Sequence, residues 1–201
     1  PEGIKMNFLK MAFVSPFVAL LAWGQTAVIL SAGIDLSVGS IVALVSVVSA
    51  TVILQQGFVA GILAGVLVGV VCGLFNGWVV AKLRVPAFVA TLGMMSIARG
   101  AAFTFTGGVP VFGIRSDAFT YLGHGFFLGI PVNVWIAAGG FVLTYLLLTR
   151  TKFGLYTYAI GGNETATKWA GVPIDRYKIY IFTFSGLMAG IAGVLLAARV
   201  N

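Results

Sequence analysis

Charge, cysteine and histidine are scarce in this chain, and each scarcity removes a class of function. Only 8% of its 201 residues are charged and 60% are hydrophobic, for a mean hydropathy of +1.07. A soluble domain carries about 25% charged residues, so a membrane protein with several spans is the class that fits. The single cysteine, Cys72, sits inside an apolar run, and the single histidine, His124, is far from it. That leaves no disulfide framework, no cluster of metal ligands and no nucleophile–base pair. Catalytic residues, metal sites and cofactors are therefore expected to be none. The nearest approach to a phosphate-binding loop runs from Gly162 to Trp169, and it lacks both the second glycine and the hydroxyl after Lys168. Any ATP hydrolysis is expected on another subunit, and the chain is not expected to be an enzyme. No basic stretch leads into a short apolar core and cleavage site, so no signal peptide is expected. The chain opens at Pro1 and stops at Asn201, straight after an apolar run, and is expected to be a piece of a longer protein.

Apolar length and glycine are what the chain has. Between residues 11 and 81, a run of 71, the one charged side chain is Asp35. A helix crossing about 30 Å of hydrocarbon needs roughly 20 apolar residues. Stretches of about that size predict six spans at 11–30, 40–55, 57–83, 86–106, 130–148 and 179–198, in an all-α polytopic transmembrane bundle. Residues 107–130 read as a loop. Net charge is +7, yet five of the twelve basic residues (Arg150, Lys152, Lys168, Arg176, Lys178) crowd into the 29 residues 150–178, which is the pattern of a cytoplasmic loop rather than a nucleic-acid patch. Lys82 and Arg84, between the third and fourth spans, fall on the same side as that loop, and 107–130 falls on the other. Lys5 and Lys10 then face outward, a mild violation of the charge rule. Gly57, Gly61, Gly65, Gly69, Gly73 and Gly77 recur every fourth residue and form a stripe along one side of a helix. Such a stripe lets another helix backbone approach closely in lipid, as generic packing or as a moving seam.

Asp35, in SAGIDLSVGS (31–40), is the sharpest local problem. A carboxylate in hydrocarbon costs roughly 2.5–3.5 kcal/mol, so it needs partners or water. Gly33 permits a break in the helix, and Asp35 or Ser37 can cap the helix that follows, aided by its dipole. A broken helix over 31–40 beside a pathway is expected, with a proton-relay aspartate as the alternative. Arg99 falls about 20 Å along its helix from Pro86, placed either to snorkel to headgroups or to line a polar route with Thr104 and Thr106. Gln25, Asn76 and Thr91 are polar groups within spans, suited to hydrogen bonds between helices or to a polyhydroxylated solute. In the basic segment, Asn163 is a good N-cap, Glu164 an early acid, Gly171 a stop and Pro173 a terminator, which predicts a short helix over 164–170. Such a helix either docks in a partner's groove or lies solvated as a connector. Asn163-Glu164-Thr165 also spells a glycosylation sequon, discounted for its cytoplasmic placement.

SAGIDLSVGS and FGLYTYAIGGNETATKWAGV together resemble the permease subunits of ribose-type ABC importers. The run GLFNGWVVAKLRVPAFVATLGMMSIARG and the later SGLMAGIAGVLLAAR resemble the same family, and the likeness extends from Gln25 to Arg199. The resemblance implies one permease domain over 1–201, lacking the family's first span and C-terminal section, with 150–178 as its cytoplasmic coupling loop. It implies import of a monosaccharide (ribose, xylose, galactose or similar) across the bacterial inner membrane. Implied partners are a second permease copy in a homodimer or close heterodimer, two cytoplasmic ATP-binding-cassette subunits or domains, a periplasmic sugar-binding protein and the lipid bilayer around the permease, with no nucleic acid. By position, Gly161, Gly162, Asn163, Glu164, Ala166 and Gly171 would contact the ATPase, and Gly33, Asp35, Ser37 and Gly39 would shape the broken segment. Asn76, Thr91 and Arg99 are the further pathway candidates. Two departures stand out: Ser31-Ala32 where the family more usually has Thr-Gly, and Leu155 where it often has arginine. The alternatives are an ion-coupled carrier using Asp35 and an ABC permease for another small polar solute.

Overall fold

A computed structural model describes the backbone of residues 2–109, 111 and 113–201, and the side chains of 15–109, 111 and 113–201. Among the described residues the chain is all-α apart from one small hairpin. In order, its elements are α1 (Glu2–Leu30), α2 (Val38–Gln56), α3 (Phe58–Lys82), α4 (Ala87–Thr106), α5 (Asp117–His124), β1 (Phe126–Phe127), β2 (Ile130–Pro131), α6 (Val132–Arg150), α7 (Lys152–Gly162), α8 (Glu164–Trp169) and α9 (Ile174–Val200). Among the described residues five helices, α2, α3, α4, α6 and α9, are long and apolar enough to cross a membrane. The fold is that of a polytopic membrane protein. The first expected span corresponds to α1, whose described apolar part is the shorter Ser15–Leu30. The side chains of 11–14, and those of Lys5 and Lys10, lie outside the described residues.

α9 is the axis of the bundle, with 78% of its apolar window buried against 22% for α4 and for α6. Its composition explains the position. Ser185, Gly186, Ala189, Gly190, Ala192, Gly193, Ala197 and Ala198 are small and buried, so neighbours approach it from every side. α1, α2, α3 and α5 all pack on it. Against α3 the approach is backbone to backbone. A methyl carbon added at Gly69 would lie 2.5 Å from the Gly186 carbonyl oxygen, and one at Gly77 would lie 2.7 Å from Ile179 Cα. The expected stripe is thus a real seam, but it starts at Gly61. Gly57 instead forms the turn between α2 and α3, at φ 92° with open space around it.

Two stretches read as loops carry structure. Within 107–130 lies α5, opened by Ser116, whose hydroxyl accepts from the Phe119 N–H, and then the β1–β2 hairpin. Its tip, Leu128-Gly129, has φ 53° and 76°, the paired positive values of a tight two-residue hairpin turn. Within 150–178 lies α7, whose Gly154 rests directly on the Leu148 carbonyl, so α6 turns sharply into α7. The expected helix at 164–170 is present as Glu164–Trp169, with Ala170 as its cap and Gly171 at φ 80°. α9 begins at Ile174, directly after Pro173 and five residues before its apolar stretch, with Asp175 and Arg176 exposed in its first turn.

Candidate functional site

The chain leaves the helix between Leu30 and Val38. α1 closes with paired bonds, Ala32 N–H to the Ile29 carbonyl and Gly33 N–H to the Val28 carbonyl, both 2.9 Å. The residue forced into the left-handed region is Ala32, at φ 58°, and not Gly33, where the sequence places the freedom to break. Beyond it the backbone is irregular as far as Ser37 and its side chains alternate: Asp35 and Ser37 are buried, whereas Ile34 and Leu36 are 52% and 39% exposed.

Four helices reach this segment. Asp35 Oδ1 accepts from the Ser37 N–H at 2.9 Å and the Ser37 hydroxyl at 2.6 Å, and Oδ2 accepts from the Ser185 hydroxyl of α9 at 3.0 Å. Asn76 of α3 donates its Nδ2 to Ser37 Oγ at 2.9 Å. Gln25 of α1 donates to the Asp35 carbonyl. The Thr91 hydroxyl of α4 lies 2.8 Å from the Ala87 carbonyl and 3.4 Å from that of Ile34. Asp35 therefore holds the turn immediately before α2 and leaves the first-turn amides alone. Ser37 is the N-cap by position, but its side chain makes no cap bond because Asp35 and Asn76 occupy it. Gln25, Asn76 and Thr91 thus converge on one buried knot. Ser185 completes it, and a lone serine in an apolar helix gives no signal in the sequence of its partner. Gly39 stands apart, with nothing near an added methyl. Arg99 is not drawn in either. It is exposed on α4, and among the described residues it forms no ion pair.

A second group gathers at the ends of α1 and α7. Gly161 packs so closely on the Leu30 carbonyl that no side chain fits there. Asn163 Oδ1 caps α8 by accepting the Ala166 N–H at 2.9 Å. Glu164 takes both oxygens to Lys178 Nζ, at 2.7 and 2.8 Å. The buried Thr167 hydroxyl, 2.8 Å from the Ala159 carbonyl, ties α8 to α7. Gly162 has open space around it, and Trp169 is 86% exposed. α8 is therefore presented to the outside, while the end of α7 that leads into it touches the helix end that opens on the Asp35 knot. The turn after α3 lies at this same end, where Lys82 Nζ meets Asp175 Oδ2 at 3.0 Å.

No solved structure matches the chain. Among curated proteins, the ribose import permease protein RbsC of Escherichia coli K12 is 40% identical over 199 residues, covering 97% of this chain and 61% of the relative. The L-arabinose transport system permease protein AraH of the same strain is 43% identical over 197 residues, covering 98% and 60%. RbsC of Bacillus subtilis 168 is 41% identical over 198 residues, covering 98% and 61%. The chain spans about three fifths of the length of these relatives. Residues 7–201 match the family described as the permease component of branched-chain amino acid transport systems, and the chain belongs to that family of transport permeases.

Proposed function

We propose that the chain is part of the transmembrane permease of an ABC importer that carries a monosaccharide across a bacterial inner membrane. Ribose and L-arabinose, the sugars named for its relatives, mark the solute class. A second permease copy, two cytoplasmic ATPases and a periplasmic sugar-binding protein complete the assembly. The observation that carries the reading is the contact of Gly161, at the end of α7, with the Leu30 carbonyl, which links α7 and the presented helix α8 that follows it to the irregular segment 31–37. Movement of an ATPase against Gly161, Gly162, Asn163, Glu164, Ala166 and Gly171 is passed at that contact to the end of α1. Gly33, Asp35, Ser37 and Gly39, with Asn76 and Thr91, shape the wall of the route. Arg99 adds a hydrogen-bond donor for sugar hydroxyls on the open face of α4. The basic segment 150–178 is the coupling loop, with α7 as its support.

The test is ATP-driven uptake of labelled ribose or arabinose into proteoliposomes holding the full assembly. Replacing 161–171 by a Gly/Ser linker should abolish uptake while the spans remain folded. Undiminished transport would overturn the coupling assignment. An ion-coupled carrier with Asp35 as its proton site predicts instead uptake driven by a pH gradient without ATPase, lost on Asp35→Asn. The three hydrogen bonds that converge on the carboxylate favour a fixed acceptor over a relay. An importer of another small polar solute would show the same ATP dependence with a different labelled substrate.

A further inference from the structure

A cavity of about 1220 Å³ opens at the end of the bundle where α3 meets α4 and α8 meets α9. Its lining divides by chemistry. Val80, Ala81, Ala87 and Ile174, at the ends of apolar helices, supply apolar surface, while Arg84, Lys168 and Arg176 line the cavity together with two lysines, Lys82 and Lys178, and the carboxylates Asp175 and Glu164. Lys82 is matched by Asp175 and Lys178 by Glu164. Among the described residues no carboxylate pairs with Arg84, Lys168 or Arg176, so the cavity holds three uncompensated cations. Arg84 follows the Leu83 cap of α3 and is held in the left-handed region at φ 54°. A neutral sugar passing through needs no such excess of positive charge. An amphiphile with an anionic head suits both kinds of lining residue, since cations near a membrane surface attract acidic lipid and apolar side chains receive the upper part of an acyl chain.

We propose that this cavity binds the phosphodiester headgroup of an anionic phospholipid, with Arg84 and Arg176 as the principal donors. The site also touches Ser31 and Ala32, so its occupant rests against the turn that leads into segment 31–37. Occupancy is independent of which solute the protein carries, and the two arginines lie outside the 161–171 segment, which keeps this test separate from the coupling test.

The experiment is native mass spectrometry of the purified full-length protein with dioleoyl phosphatidylglycerol or dioleoyl phosphatidylcholine. The wild type should retain one more phosphatidylglycerol than phosphatidylcholine. Arg84→Gln with Arg176→Gln should weaken that retention about thirtyfold, two cations at a membrane surface being removed. Arg84→Lys with Arg176→Lys should keep most of it, and guards against a glutamine variant that fails to fold. Equal retention of the two lipids, or an unchanged glutamine variant, would overturn the proposal. So would displacement of the lipid by an equal concentration of glycerol 3-phosphate, which would make the occupant a soluble phosphate. Preferential binding of a deca-glutamate peptide would make the cavity a protein contact, and would overturn it too.

Discussion

Asp35 and Ala32 make opposite contributions within four residues. Asp35 accepts from two hydroxyls and one amide in a buried place, and removing it strands all three donors. An unsatisfied buried polar group costs about 1–3 kcal/mol, so Asp35→Ala should destabilise the protein by several kcal/mol, read as a lower unfolding temperature in detergent. Asp35→Asn keeps one acceptor oxygen for Ser37, and its amide can donate to Ser185 Oγ. It should cost far less, and an equal loss in the two variants would show that charge, not geometry, holds the turn. Ala32 is the weak point. Left-handed backbone costs a residue with a Cβ about 1–2 kcal/mol, and the added freedom of glycine in the unfolded chain offsets part of that. Ala32→Gly should therefore stabilise the protein by about 1 kcal/mol or slightly less, checked by the same melting experiment. The sequence makes Asp35 conspicuous because it is the one charge in 71 residues. It does not reveal Ser185 as a partner, because 150 residues separate the two and only the fold closes that distance.

Helices announce themselves here in proportion to how much they depend on lipid. The spans beginning near 40, 57 and 86 are legible because apolar length alone demands them, and the structure ends α4 at the expected Thr106. α5 and α7 are hidden because they are short and rich in glycine and aromatics. Gly154 and Gly161 would weaken a free helix, and packing on the carbonyls of Leu148 and Leu30 is what makes them useful. The α3 stripe is legible as a stripe, but its partner is not. Gly186 and Gly190 of α9 meet it, and two facing glycine rows can be matched only in three dimensions. Gly69→Ala should thus cost about 1–3 kcal/mol through overpacking against Gly186 and Gly190. Gly100→Ala on the open face of α4 meets nothing and should leave stability unchanged or raise it by up to about 1 kcal/mol through helix propensity. Thermal unfolding of the pair side by side checks both. Equal melting shifts would mean that α3 and α9 are not in backbone contact.

Across the whole bundle, the two ends differ in charge, and that difference predicts how the protein sits in a membrane. Lys82 reaches Asp175, which joins the turn after α3 to the start of α9. At 50% and 53% exposure this pair contributes little to stability, on the order of 0–1 kcal/mol, but it marks the two basic segments as neighbours. At the far end of α9, Asn201 brackets the backbone of Ile114, accepting from its N–H at 2.8 Å and donating to its carbonyl at 3.0 Å. The loop after α4, with α5 and the hairpin, therefore belongs to the opposite end. Positive charge is retained on the cytoplasmic side, so the end bearing Lys82, Arg84, Lys168, Arg176 and Lys178 should face the cytoplasm. Single cysteines placed in a Cys72→Ala background test this with a membrane-impermeant maleimide. Cysteines at Leu83 and Thr165, both exposed, should label only in inside-out vesicles. A cysteine at Leu128, 79% exposed at the hairpin tip, should label only in right-side-out vesicles. Labelling of Leu83 and Thr165 from opposite faces would break the bundle apart, because no packing of α9 against α3 could then place Asp175 beside Lys82. Labelling of both from the outside would keep the bundle and invert it, and would remove α8 from any ATPase.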